Sequence, residues 1–297
     1  MKLAPIICLP VISLLVTSTA KGQHTEPLLL KVTYNFTYLY DKVNNTHPLE
    51  TEVTLRVGKI NSKFNNARLE TPQPATKENK LNNPNISAKT VTVAGAPVAS
   101  VISKEINKEI IYQAPGENHI VKIDNLGFQA YKIEIPFPQI NWKVEQDTIS
   151  LGGFTCQKAT GMFGGRVYIA WFAPELPFKY GPWKLCGLPG LILEAADTAN
   201  EVVFKFKELI KPKETEYIIY DAYRPVTIKE DAFDKAKKQF DKDPIAYSQA
   251  QLKGDSQISQ ITFIDASGKT LTGNAAKKAI KREQEKKITN PMEVSNN

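Results

Sequence analysis

Leu30-Lys31-Val32-Thr33-Tyr34-Asn35-Phe36-Thr37-Tyr38 puts an apolar side chain at every even position and a polar one at every odd position. A period of two buries one face of a pleated strand and wets the other. The same alternation recurs in Val53, Leu55 and Val57 against Glu52, Thr54 and Arg56. It returns in Tyr131, Ile133, Ile135 and Phe137 against Lys132 and Glu134, and in Val202, Phe204 and Phe206 against Val203, Lys205 and Lys207. Half-buried strands that follow one another without helical periodicity between them predict an antiparallel sheet.

The densest part of this pattern is residues 152–194. Phe154–Thr160 and Arg166–Phe172 read as two strands joined through Gly161, Gly164 and Gly165. Residues 174–190 then carry Pro174, Pro177, Pro182 and Pro189 with Gly181, Gly187 and Gly190. Proline fixes φ and glycine opens positive φ, so the mixture predicts a defined turn, drawn inward by Leu188, Leu191 and Leu193. Leu191-Ile192-Leu193 restarts a buried strand. Residues 61–90, rich in Asn and Pro, read as a long inserted loop.

After Pro225 the period lengthens. Thr227 with Glu230 fits a capping box, and Phe233, Ala236 and Phe240 line one helical face until Asp243-Pro244 interrupts it. Ile261–Ile264 reads as a strand entering a turn, and Asn274 as the cap of a last helix over 275–287. The expected fold is mainly β (α+β): a curved antiparallel sheet or half-open barrel over residues 23–226. Residues 227–297 extend the same domain, with helices packed across or beside the sheet.

The chain has 297 residues, 42% apolar and 23% charged, which excludes a disordered polypeptide. Met1-Lys2, the apolar run Leu3–Val16 and the small residues of Thr17–Gly22 predict a signal peptide over residues 1–22, cut after Ala20 or Gly22. Pro5, Pro10 and the short run argue against a membrane-spanning helix. Export to the periplasm, free or associated with the outer membrane, is the expected location. Loss of Lys2 and Lys21 lowers the formal charge from +7 to +5. Much of the remainder is the cluster Lys277, Lys278, Lys281, Arg282, Lys286 and Lys287, read as the solvated face of a terminal helix. The folds and interleaved aromatics of nucleic-acid binders are missing, so no nucleic-acid partner is expected.

Cleavage also removes Cys8 and leaves Cys156 and Cys186 in a compartment that permits disulfides. A Cys156–Cys186 bridge would close a loop of about 30 residues and contribute on the order of 3–4 kcal/mol. A catalytic cysteine is the weaker alternative, because no histidine stands at a recognisable spacing.

Gly187-Leu188-Pro189-Gly190-Leu191-Ile192 spells GLPGLI, and supporting stretches lie along most of the chain: Val57-Gly58-Lys59 with Ser62-Lys63-Phe64, Ile140-Asn141-Trp142-Lys143, Cys156-Gln157-Lys158-Ala159, Gly165-Arg166, Gly181-Pro182-Trp183-Lys184 and Asn290-Pro291-Met292-Glu293. In these the sequence resembles the GLPGLI family, which implies an exported Bacteroidota protein without an established biochemical role. The order of its strands also looks like that of periplasmic lipoprotein carriers, a likeness of fold that licenses little about function.

Trp142, Trp171 and Trp183 have broad faces suited to a ligand groove, with burial in the core as the alternative. Arg166 has the fork to hold an anionic headgroup, or a structural partner such as Glu175, Glu194 or Asp197. Glu194 and Asp197 are three apart and would face opposite sides of a strand, which argues against a shared acid–base site. Asp147-Thr148-Ile149 and Asp197-Thr198-Ala199 resemble bacterial O-glycosylation acceptors. No catalytic constellation, metal-ligand set or cofactor loop is recognisable, so none is expected. The leading expectation is a non-enzymatic binding or chaperone-like module for a lipid, a lipoprotein or an outer-membrane transporter component. The rivals are a hydrolase whose carboxylates converge from separate strands and a structural accessory of a transporter.

Overall fold

The computed structural model describes residues 25–43, 48–67, 90–93, 109–127, 129–212, 216–219, 225–252, 260–264, 270–271 and 289–293. In chain order the elements begin with β1 (Thr25–Pro27), β2 (Leu30–Tyr38), β3 (Leu49–Val57), β4 (Ser62–Asn66), β5 (Thr90–Val93) and β6 (Ile110–Ala114). Then come β7 (His119–Leu126), β8 (Gln129–Pro136), β9 (Lys143–Leu151), β10 (Phe154–Phe163), β11 (Arg166–Ala173), β12 (Leu191–Asp197) and β13 (Val202–Ile210). The chain continues through β14 (Tyr217–Ile219), β15 (Val226–Thr227), helices α1 (Glu230–Lys242) and α2 (Pro244–Leu252), β16 (Gln260–Ile264) and β17 (Thr270–Leu271).

Twelve strands form one sheet in the order β15-β8-β7-β6-β4-β3-β2-β13-β12-β11-β10-β9. β1 pairs with β14, and β17-β16-β5 make a third small sheet. The large sheet is mainly antiparallel but not wholly so: β15 joins β8 in parallel through Val226 and Thr227. β16 and β5 are also parallel, so the architecture is mainly β and mixed. The two edges of the large sheet, β15 and β9, do not pair with each other, and no closed barrel forms among the described residues.

Register follows the alternation read from the sequence. Val32, Tyr34 and Phe36 of β2 stand opposite Leu55, Val53 and Thr51 of β3, and Phe36 and Tyr38 stand opposite Phe204 and Val202 of β13. These side chains share one face. That face curls inward, as two contacts show. Phe64 and Phe204 lie three strands apart, about 14 Å in a flat sheet, yet their ring centroids are 6.1 Å apart. Tyr34 reaches past β13 to donate its hydroxyl to the Ile192 carbonyl at 2.7 Å. Register shifts at Gln157/Ala159, Trp171/Phe172 and Phe206/Glu208 bend the strands.

α1 covers the β7–β8 end of the inner face. Phe233 and Phe240 are buried, and Phe233 meets Tyr131 edge-on at 5.8 Å. The capping box does not form. Thr227 is held in β15 opposite Lys132, Lys229 occupies the cap position without a side-chain bond, and Glu230 and Asp231 supply charge to the first turn instead. Asp243 ends α1 and its carboxylate accepts from the Ala246 amide, so Asp243-Pro244 restarts the chain as α2. On the outer face, Leu28 and Ile218 pack over Ile110, Tyr112 and Ile123.

The loop expected over residues 61–90 is corrected at both ends, since Thr90 begins β5, and residues 68–89 lie outside the described residues. Ser62–Asn66 is the central strand β4, with Phe64 fully buried, because its alternation completes the sheet between β3 and β6. The signal peptide expected over residues 1–22, the helix expected over 275–287 and the basic cluster there lie outside the described residues. Among those described, no helix is long and apolar enough to cross a membrane.

Candidate functional site

The concave face is occupied by the proline- and glycine-rich turn. Trp183, Leu185, Cys186, Leu188 and Leu191 are all buried, and the turn is pinned by the Gln113 side chain. Gln113 Nε2 donates to the carbonyls of Gly181 (2.9 Å) and Trp183 (2.7 Å). Trp183 has φ +56°, a left-handed conformation that costs a bulky residue on the order of 1–3 kcal/mol. Its surroundings hold it there: its Nε1 donates to Glu109 Oε1 at 3.0 Å, and its ring meets Phe163 edge-on at 5.4 Å.

At the end of the sheet where β2 stops and β11 starts, charged side chains point inward. Arg166 Nη1 donates to Asp197 (2.6 Å) and Glu201 (2.9 Å), while Nη2 donates to the Asn290 side chain and to the Pro291 carbonyl at 2.9 Å. Arg166 and Asp197 side chains are only 7% and 3% exposed. Asp197 also accepts from the Glu201 and Val202 amides, closing the β12–β13 turn. Asn290 is threaded into the network: its backbone carbonyl accepts from the Tyr38 hydroxyl and its amide donates to the Leu39 carbonyl and to Glu201. Glu293 pairs with Lys184 in the turn. Residues 289–293 therefore form a strap across this end. Burial alone would raise the Glu201 carboxyl, but hydrogen bonds from Lys42, Arg166 and Asn290 outweigh it and hold it below the usual range.

The three tryptophans do not share a groove. Trp142 lies over Gly161 and donates Nε1 to the Cys186 carbonyl at 2.8 Å, bracing the turn. Trp183 is inside. Trp171, half-buried, faces the other side of β11 opposite Glu194. Both terminal nitrogens of Arg166 are consumed by protein groups, so its fork is not open to a headgroup. Glu194 is held by Lys205 and the Phe206 amide, away from Asp197. Thr148 and Thr198, the acceptor threonines, are both exposed.

Cys156 and Cys186 are buried free thiols, so the expected bridge is not formed. Each thiol turns to a local carbonyl, Cys156 to Phe154 and Cys186 to Lys184. Burial pushes the Cys156 thiol up to about 11 and the Cys186 thiol up to about 12. Neither is expected to react with maleimide in the folded protein at pH 7, and both should react in guanidinium without reductant, as intact mass will count.

Glu109, Gln113 and Glu201 were not singled out by sequence, and Asn290 and Glu293 entered only through the family resemblance, without a role. Glu109 is half-buried as a residue, but its carboxyl is enclosed and burial raises its pKa, an effect that the charges of Lys184 and Lys122 reduce. A carboxyl raised on folding binds protons more tightly in the native state, so stability is full below the ordinary glutamate range and falls as pH rises through the folded value. Glu109→Gln keeps an acceptor for Trp183 and is expected to flatten that fall, measured by urea unfolding from pH 4 to 8.

A family model described as a protein of unknown function (Porph_ging) matches residues 164–194. That segment holds Gly164, Gly165, Arg166, β11 and the whole turn. No curated protein matches the chain. The solved structure of PNGF-II in the P21 space group is 13% identical with a TM-score of 0.45, covering 70% of this chain and 32% of that one. The same protein in the C2 space group is 14% identical, with the same TM-score and coverage. The chain thus spans about a third of the length of PNGF-II. From β11 to the end of the GLPGLI turn, the sequence is similar to a family whose function is unknown.

Proposed function

We propose that the protein is an exported, non-enzymatic binding module of GLPGLI type, which holds an extended segment of a partner protein along the free edge of β9. The sheet serves as a curled, half-open scaffold with its helices across one end. The partner is a lipoprotein or an outer-membrane transporter component, and the setting is the periplasm. The observation that carries this reading is β9 itself. It is nine residues long, exposed on the face that carries Val144, Gln146 and Thr148, half-buried at Glu145, Ile149 and Leu151 on the other, and paired with β10 alone among the described strands. An edge of that length offers a row of backbone donors and acceptors to an incoming strand. Lys143, Glu145 and Asp147 along it discourage indiscriminate pairing. The filled concave face favours this edge over an internal lipid, which would have to displace Trp183 and Leu188.

A photo-crosslinking residue at Gln146, with one at exposed Lys235 on α1 as control, tests the proposal in the native host. A discrete crosslinked partner from position 146 alone is the expected result. Equal labelling from both positions, or a lipid retained through purification, contradicts it. Hydrolysis of an ester, peptide or glycan that is lost in Asp197→Asn or Glu194→Gln would favour the hydrolase reading instead.

A further inference from the structure

Two polar atoms beside the strap have no protein partner. Arg166 Nε and the Tyr168 hydroxyl are both sealed from solvent, and neither makes a hydrogen bond. They are two residues apart on β11 and so project from the same face, with Cα atoms about 6.6 Å apart. Asp197 stands directly opposite Tyr168 in the register and is itself bonded to Arg166. A buried N–H and O–H from successive inward positions of one strand, each unsatisfied, are rare in folded proteins and point to something that satisfies both.

We propose that Arg166 and Tyr168 bind a single internal water molecule, which accepts from Arg166 Nε–H and shares a hydrogen bond with the Tyr168 hydroxyl. The charge around the site selects the class of ligand. Arg166, Lys42 and Lys184 are matched by Asp197, Glu201 and Glu293. An anion would add charge without compensation, and a cation would face the guanidinium. A neutral oxygen does neither. A buried water needs two to four polar partners, and the Asp197 carboxylate, opposite Tyr168 in the register and bonded to Arg166, is the acceptor for its hydrogens. Burial raises the Tyr168 pKa well above neutrality, so the phenol remains a donor. The water then completes a chain from Tyr168 through Arg166 to Asn290, joining the sheet to the strap.

Crystals of the wild type and of Tyr168→Phe, grown without sulfate or phosphate, test the site. The expected result is one density peak in the wild type within about 3.2 Å of both Arg166 Nε and Tyr168 Oη, lost or displaced in Tyr168→Phe. In solution, the Arg166 Nε–H should cross-relax with a slowly exchanging water in the wild type. If the variant does not fold, the wild-type density and cross-relaxation decide the matter alone. No peak, a peak only when sulfate is added, or direct contacts of both atoms with protein groups would overturn the proposal.

Discussion

Arg166→Ala is expected to cost about 3–5 kcal/mol of folding stability and to release residues 289–293. The guanidinium is enclosed, and four acceptors depend on it: Asp197, Glu201, the Asn290 side chain and the Pro291 carbonyl. Removing the cation leaves the Asp197 carboxylate buried with only two backbone amides to offset its charge. Truncating one partner of a buried pair costs far more than the pair itself contributes, because the other charge is stranded. The loss is a large share of the roughly 5–15 kcal/mol available to a domain. Urea unfolding measures it, and hydrogen exchange at Thr289 and Asn290, whose amides donate to the Tyr40 carbonyl, reports the strap. Asp197→Asn added to Arg166→Ala should cost less than the two single losses combined, since it neutralises the stranded charge. Strict additivity would show that the pair is not coupled.

Gly190→Ala is the second large effect, expected to cost about 3 kcal/mol, the upper part of the usual range for overpacking. A methyl at Gly190 would lie 2.3 Å from the Ala173 carbonyl oxygen and 2.7 Å from its carbon. Both are backbone atoms at the end of β11, so the turn must move off the strand. Gly187→Ala makes the opposite case. Nothing lies within 4 Å of the new methyl, and the cost is that of a side chain at φ +94°, about 1–2 kcal/mol. Calorimetry should therefore show the larger fall in Tm for the variant at 190. Equal falls would mean that the turn is not wedged against β11.

Local physics explains what the sequence made legible. Alternation reports which side of a strand is buried, and so β2, β3, β8 and β13 could be read directly, while the glycines at 161, 164 and 165 marked β10 and β11. Leu188 and Leu191 also announced that the turn faces inward. β4 was hidden because Asn61, Asn65 and Asn66 read as loop residues. In the fold Asn65 is buried, and its amide nitrogen donates to the Asn66 carbonyl. The charged end of the sheet was half legible. Asp197 stood among the partners weighed for Arg166, but Glu201 did not. Asn290 lies 124 residues further along and nothing local marks it as a core residue. Gln113 showed the same blindness: a polar residue in an inward position of an apolar strand is explained only when the turn that it holds is in view. The expected disulfide failed for a related reason, since spacing along the chain carries no information about where two thiols point.

The curled sheet is filled by its own proline–glycine turn rather than left open for a ligand. Native-state hydrogen exchange of the turn amides tests it most directly. Leu185, Gly187, Leu191 and Ile192 donate to the carbonyls of Pro182, Lys179, Leu176 and Tyr180. These amides are expected to exchange only through global unfolding, as slowly as Phe36 and Phe204 in the middle of the sheet. Exchange of the turn several orders of magnitude faster than those strands would reveal a lid that opens on its own, and would contradict it.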